Sequence, residues 1–147
     1  MMINYILLNM VIITISVPIY QKENQSFELG EEVSIPFEGL ATLKDEGETL
    51  VFQFTDLIKE SRCPPGAACI WAGYATIELK VDESQSFILS NGDLLRRNQE
   101  PKTDIATYLD YKIYLERISY KEKTDYGKKK KYYTTIKVEK EKPVIKK

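Results

Sequence analysis

Apolar residues recur at every second position along most of this chain, in short runs between turn signals. That period of two fits a strand with one buried face and not a helix. In "EEVSIPF" Val33, Ile35 and Phe37 share a face, in "TLVFQFTDLI" Leu50, Phe52 and Phe54 do, and in "YATIELKV" Ala75, Ile77, Leu79 and Val81 do. "SFILS" leads into an Asn91-Gly92-Asp93 turn, "YKIYLERIS" sets Ile113, Leu115 and the apolar stem of Arg117 against Tyr114 and Glu116, and "YYTTIKVEK" closes the pattern. Turn chemistry at Asp45-Glu46-Gly47, Asn91-Gly92 and Tyr126-Gly127 separates the runs. The pattern predicts an all-β domain: a small antiparallel β-sandwich, immunoglobulin-like, or an open barrel of about seven strands, since a parallel sheet would call for helical crossovers. "GDLLRRNQEPKTDIATYL" is the least strand-like stretch and reads as a long connection with one helical turn.

At 147 residues the chain has length for one hydrophobic core. The domain is expected over 26–142, followed by a basic tail, 143–147. Residues 1–20, "MMINYILLNMVIITISVPIY", contain no Lys, Arg, Asp or Glu before the change to "QKENQS". They read as a signal peptide or N-terminal hydrophobic segment, with Ile3 to Ile15 as the apolar stretch and Thr14 and Ser16 as small residues before a cut. Asn4 and Asn9 interrupt the run and no basic residue opens it, so a β-branched first strand and an uncut anchor are the alternatives. The expected location is extracytoplasmic, periplasmic or secreted.

What the chain lacks narrows its chemistry. It has no histidine, which removes Ser-His-Asp and Cys-His catalysis, histidine zinc sites and ordinary haem ligation. Its two cysteines are too few for a four-cysteine zinc site, and their C-x5-C spacing is not the C-x-x-C of thioredoxin-like centres. No dinucleotide, P-loop or nucleophile-elbow glycine motif is present. A formal charge of -1 does not favour nucleic acid or an anionic membrane as a bulk partner. The charge is uneven along the chain: residues 22–111 hold 8 basic against 17 acidic side chains, and residues 112–147 hold 13 against 5. Pairing of C-terminal strands with acidic ones is expected to cancel most of this. "GKKKKYY" from Gly127 reads as a solvated hairpin tip, with a polyanion or phospholipid contact as the alternative.

The rare residues crowd into "ESRCPPGAACIWAGYA", 60–75, which holds both cysteines, the one tryptophan and two of six prolines. The stretch falls between two predicted strands, so Cys63 and Cys69 close a short connection stiffened by Pro64 and Pro65, with Gly66 free to turn. A disulfide across it is expected in an oxidising compartment, and export and cross-link support one another. Trp71 reads as core packed on the disulfide or as an exposed platform for sugar or peptide. Gly73 reads as a bulge or a close backbone approach. Arg62 with Glu60 reads as a salt bridge or a fork on loop carbonyls, or else as an anion clamp. Tyr108, Tyr111, Tyr114, Tyr132 and Tyr133 read as cross-strand packing or a sugar-binding surface.

The same residues, Glu60-Ser61-Arg62-Cys63-Pro64 and Cys69-Ile70-Trp71-Ala72-Gly73, resemble the D-S-R-C-P...C-x-W-A-G signature of a family of uncharacterised bacterial secreted proteins and lipoproteins. Glu60 replaces the usual Asp, and the leader has no lipid-anchoring cysteine. The resemblance implies location and fold and no particular activity. The expected function is a non-enzymatic binding or envelope-accessory module, with Arg62, Glu60, Pro64, Pro65 and Trp71 as candidate binding residues. Its expected partner is a protein, peptide or glycan of the cell envelope, without nucleic acid, metal or cofactor, and with membrane contact only through an uncut N-terminal segment. The alternatives are a secreted protease inhibitor presenting Arg62–Ala68 and a carboxylate-based hydrolase.

Overall fold

A computed structural model of the chain describes residues 24–64, 66–70, 73–92, 103–121 and 131–141. The leader, Pro65, Trp71, 93–102, Tyr126-Gly127 and 143–147 lie outside the described residues, and so do the readings made on them. The described residues form nine strands and no helix. They are β1 (Asn24–Phe27), β2 (Glu32–Pro36), β3 (Leu40–Asp45), β4 (Glu48–Glu60), β5 (Tyr74–Val81), β6 (Gln85–Gly92), β7 (Ile105–Tyr108), β8 (Tyr111–Lys121) and β9 (Lys131–Lys140).

Two sheets result, in the orders β1-β3-β4-β5-β6 and β2-β9-β8-β7. Neighbours are antiparallel except β1 and β3, which run parallel because β2 crosses to the other sheet between them. A strand of the opposite sheet thus supplies the crossover between this one parallel pair. The alternating positions meet between the sheets: Phe52, Phe54, Ile77, Leu79 and Val81 from one, Ile35, Ile113, Ile136 and Val138 from the other, all fully buried. Each such aliphatic or aromatic side chain contributes about 1.5–3 kcal/mol by leaving water, which is what holds the layers face to face.

Five departures from the sequence pattern have local causes. There are nine strands and not about seven, because β1 is polar and mostly exposed and β7 is four residues long, so neither shows alternation. Phe37 does not extend the inner face of β2. The strand ends at Pro36, and Phe37 lies in a turn, 40% exposed, its ring edge-on to Phe54 at 5.3 Å. Arg117 does not follow Leu115 inward, because a register shift between Leu115 and Arg117 turns Arg117 to solvent and brings Ile118 into the core. Asn91 and Gly92 continue β6, paired with Ala75 and Tyr74. Part of the supposed connection, Ile105–Tyr108, is a strand on β8.

The strands give the sandwich two distinct ends. The loop end carries 37–39, the 61–73 connection, the end of β8 and the start of β9. The turn end carries the β3–β4, β5–β6 and β7–β8 turns. The ion pairs Arg117–Glu32 within the second sheet and Lys140–Asp45 across the layers cancel some of the charge asymmetry of the sequence. The ends themselves stay unlike: Asp45, Glu46, Glu48, Asp82, Glu83 and Asp110 all belong to the turn end.

Candidate functional site

The disulfide-braced loop grows out of a strand that outruns its neighbour. β3 pairs with β4 only as far as Gln53, so Asp56–Glu60 continue beyond it, held by β5 through two register shifts. At the base of the loop Ser61 closes the ladder. Its N–H and its hydroxyl both donate to the Tyr74 carbonyl, at 3.0 and 2.9 Å. Gly73 sits against this pair with φ +70, and a Cβ there would lie 2.0 Å from the Ser61 carbonyl oxygen. The expected close backbone approach at Gly73 is therefore present, and only glycine fits it.

Arg62 folds back on Glu60. Its backbone N–H and its Nε–H donate to Glu60 Oε1 at 3.1 and 2.8 Å, and Nη2 donates to Oε2. Nη1 donates to the Ile118 carbonyl of β8, across the sandwich. Both side chains are about three-quarters buried, at 24% and 23% exposure. The fork is spent inside the protein, where it ties the loop to the second sheet and covers a β8 carbonyl that β7 is too short to reach. An external anion would have to displace Glu60, so the geometry favours the salt-bridge account of this pair over the clamp.

Cys63 and Cys69 are bonded, with Cα atoms 5.8 Å apart, an ordinary separation for a disulfide. Inside the ring the Ala67 N–H donates to the Pro64 carbonyl at 3.1 Å, and Gly66 has φ +80, the left-handed position a type II turn requires. The crest faces water: Pro64, Gly66, Ala67 and Ala68 are exposed, and Ile70 is 98% exposed. Small and apolar groups thus stand on a base fixed by a disulfide, an ion pair and a strand ladder.

Lysines also stand over tyrosine rings at the loop end of the sandwich. Lys59 Nζ lies 4.9 Å from the Tyr74 ring centre, and Lys121 and Lys131, paired directly across β8 and β9, each lie 5.5 Å from that of Tyr133. The other tyrosines divide. Tyr132 tilts on Tyr120, Tyr108 meets Phe87 edge-on, and Tyr111 is fully buried.

Sequence reasoning missed a cluster at the turn end. The Tyr111 hydroxyl lies 2.8 Å from both Asp45 Oδ2 and Glu48 Oε2, and its single proton serves one of them at a time. Lys140 Nζ donates to the same Asp45 oxygen at 2.8 Å. Lys140 and Tyr111 hold the Asp45 carboxyl below its usual range, while burial and these two carboxylates push the Tyr111 hydroxyl well up. The only local signal was the Asp45-Glu46-Gly47 turn. Among the described residues no group of three or more His, Cys, Asp or Glu side chains is arranged to hold a metal ion. No family model, curated protein or solved structure matches the chain.

Proposed function

We propose that the chain is a non-enzymatic extracytoplasmic binding module that presents the 64–70 crest to a partner in the cell envelope, as its resemblance to the secreted bacterial family implies. The carrying observation is an apolar crest exposed to water on a base tied by a disulfide, an ion pair and a strand ladder. Ile70 is 98% exposed, while Cys63–Cys69, Arg62–Glu60 and Ser61–Tyr74 hold the ends. A stiff loop loses little conformational freedom on association, so its contacts convert to affinity more fully than those of a mobile one. The disulfide supports an oxidising compartment. Contact falls to Pro64, Ala67, Ala68 and Ile70, with Pro65 and Trp71 on the same stretch, and Arg62 and Glu60 serve as their support. A protease inhibitor is the special case in which the partner is a protease cleft.

The test is capture of envelope partners by the full chain and by Ile70→Asp, with the melting temperature of each recorded. Ile70→Asp is expected to weaken capture at least about tenfold, or 1.4 kcal/mol, without lowering the melting temperature, because its side chain makes no burial in the free protein. A slowly cleaved complex cut within 64–70 on incubation with proteases identifies the inhibitor case. Capture that is unchanged by Ile70→Asp, or a native protein found reduced in the cytosol, overturns the proposal.

A further inference from the structure

We propose that β6 is an interaction surface for a second copy of this chain: two β6 strands pair antiparallel across a two-fold axis at Phe87 and join their five-stranded sheets into one. The surface is separate from the crest. Four strands stand at sheet edges: β1, β6, β2 and β7. An open edge presents unpaired N–H and C=O groups, and proteins blunt such edges with shortness, charge or proline. Three of the four are blunted, since β1 and β7 are four residues long and β2 carries Glu32 and ends on Pro36. The fourth, β6, is eight residues long, Gln85–Gly92, with no charge and no proline.

The ladder with β5 determines which groups of β6 are open. Along an antiparallel pair, residues alternate between exchanging both bonds with the partner and turning both groups away from it. The Tyr74 carbonyl accepts from Ser61, and the Ser90 N–H donates to the Thr103 carbonyl at 2.9 Å, so Tyr74–Gly92 and Thr76–Ser90 are pairs of the second kind. By the same alternation Ser86 and Ile88, opposite Lys80 and Glu78, turn their N–H and C=O groups away from β5 toward the open edge. Both residues are exposed, Ile88 at 53%. Among the described residues, the one bond to these groups comes from the Gln85 side-chain amide, 3.3 Å from the Ser86 carbonyl.

That edge matches its own reverse. Thr103 closes Ser90, which leaves Gln85–Leu89, centred on Phe87 with outward groups one residue to either side. Turned about Phe87, a second copy sets its Ile88 opposite Ser86 and its Ser86 opposite Ile88, and each pair exchanges N–H···O bonds in both directions. Ser90 then falls opposite Ser84, outside the second copy's strand, so the Thr103 contact stays in place. A register centred on Ile88 would set Ser86 against Ser90, whose N–H is spent. Phe87, partly buried and edge-on to Tyr108 at 6.3 Å, faces its own copy in the closer, non-hydrogen-bonded kind of pair, where aromatic side chains stabilise a sheet. Because β6 is uncharged, pairing it with itself sets no like charges opposite one another. A strand from another protein would meet the same backbone groups, but the match of the edge to its own reverse favours a second copy. The paired strands run in opposite directions, so the two crests point to opposite ends of the dimer.

The experiment is sedimentation equilibrium of the full chain over a range of concentrations, with the melting temperature of each variant recorded. The expected result is a monomer–dimer equilibrium whose dissociation constant rises at least about tenfold in Ile88→Pro, which removes an outward N–H that the free chain does not use in its own sheet. Ile88→Lys, which keeps the backbone N–H and sets a charge diagonal to its own copy, should weaken the dimer in the same direction. Ile70→Asp should leave the dimer unchanged, because the crest takes no part in it. To fix the register, a mixture of Ser86→Cys and Ile88→Cys should form a disulfide-linked dimer faster than either variant alone, since residues 86 and 88 face each other across the axis at a separation a disulfide spans. A monomer at every concentration overturns the inference, whether or not the edge takes a strand from another protein. Growth beyond a dimer overturns it too, because a two-fold contact closes. So does a dimer untouched by either Ile88 change in folded protein, or cross-linking no faster in the mixture than in the separate variants. Loss of the dimer in Ile70→Asp but not in Ile88→Lys overturns it by placing the contact at the crest. The reading of the crest stands or falls separately, on its own capture experiment.

Discussion

A single methyl group separates tolerated from intolerable at two glycines of the loop. At Gly66 a Cβ would meet nothing within 4 Å, so alanine there costs only the left-handed backbone, about 1 kcal/mol. At Gly73 the same atom would meet the Ser61 carbonyl oxygen at 2.0 Å and its carbon at 2.6 Å, backbone that the ladder with Tyr74 holds in place. Gly73→Ala should therefore cost clearly more than Gly66→Ala, above about 2 kcal/mol, in urea unfolding of the two variants side by side. Equal costs would mean that the base of the loop yields. Thr134 argues the other way. Its residue is fully buried and its hydroxyl finds no hydrogen-bond partner among the described residues, so folding dehydrates that group without compensation. Thr134→Val keeps the shape and removes the penalty, and should raise stability by about 1 kcal/mol in the same assay.

At the scale of elements the loop is held from both sides, and the two restraints differ in kind. The disulfide acts mainly on the unfolded chain. Cys63→Ser/Cys69→Ser should lower stability by about 2 kcal/mol on the loop-entropy account, with β4 and β5 intact by circular dichroism. The Arg62–Glu60 pair acts on the folded state, and a double-mutant cycle of Arg62→Ala and Glu60→Ala should give a coupling near 1 kcal/mol, modest because a quarter of each side chain still meets solvent. The cross-link and the turn chemistry of this loop were legible in the sequence, since both are set by neighbours within a few residues. So were the inner faces of β4 and β5, whose alternation is unbroken from Leu50 to Phe54 and from Ile77 to Val81. The bulge that sends Arg117 outward was not legible, because a register shift is decided by the partner strand and leaves no local mark. Nor was the use of Arg62, whose Ile118 acceptor lies 56 residues away. The short edge strands β1 and β7 are defined by what they pair with, and "NQSF" and "IATY" carry no period of their own.

Over the whole molecule the turn end is where pH acts on the fold. At the turn end Tyr111, Asp45 and Lys140 join the sheets across 66 and 95 residues of sequence, so their ionisation bears on global stability. The hydrogen bonds from Lys140 and then Tyr111 put the folded pKa of Asp45 below its unfolded value of about 3.9. Its contribution is complete above that unfolded value and is lost as pH falls through the folded one. Lys140 and Tyr111 behave oppositely. The hydrogen bond to Asp45 raises Lys140, burial and then the same carboxylate raise Tyr111, and their contributions are complete below about pH 10 and lost as pH rises through the folded values. Stability should therefore form a plateau at neutral pH and fall below about pH 4 and above about pH 10. Asp45→Asn should lower the plateau and flatten the acid limb. Tyr111→Phe, which removes a hydroxyl donated to carboxylates from a buried ring, should cost about 2 kcal/mol at neutral pH and weaken the alkaline limb. Neither change reaches the loop end, so the emission of Trp71 and the binding of the crest should match the parent protein wherever the variants are folded. An acid limb that stays as steep in Asp45→Asn as in the parent would place the controlling carboxylate elsewhere, and would show that the turn-end cluster is not what fastens one sheet to the other.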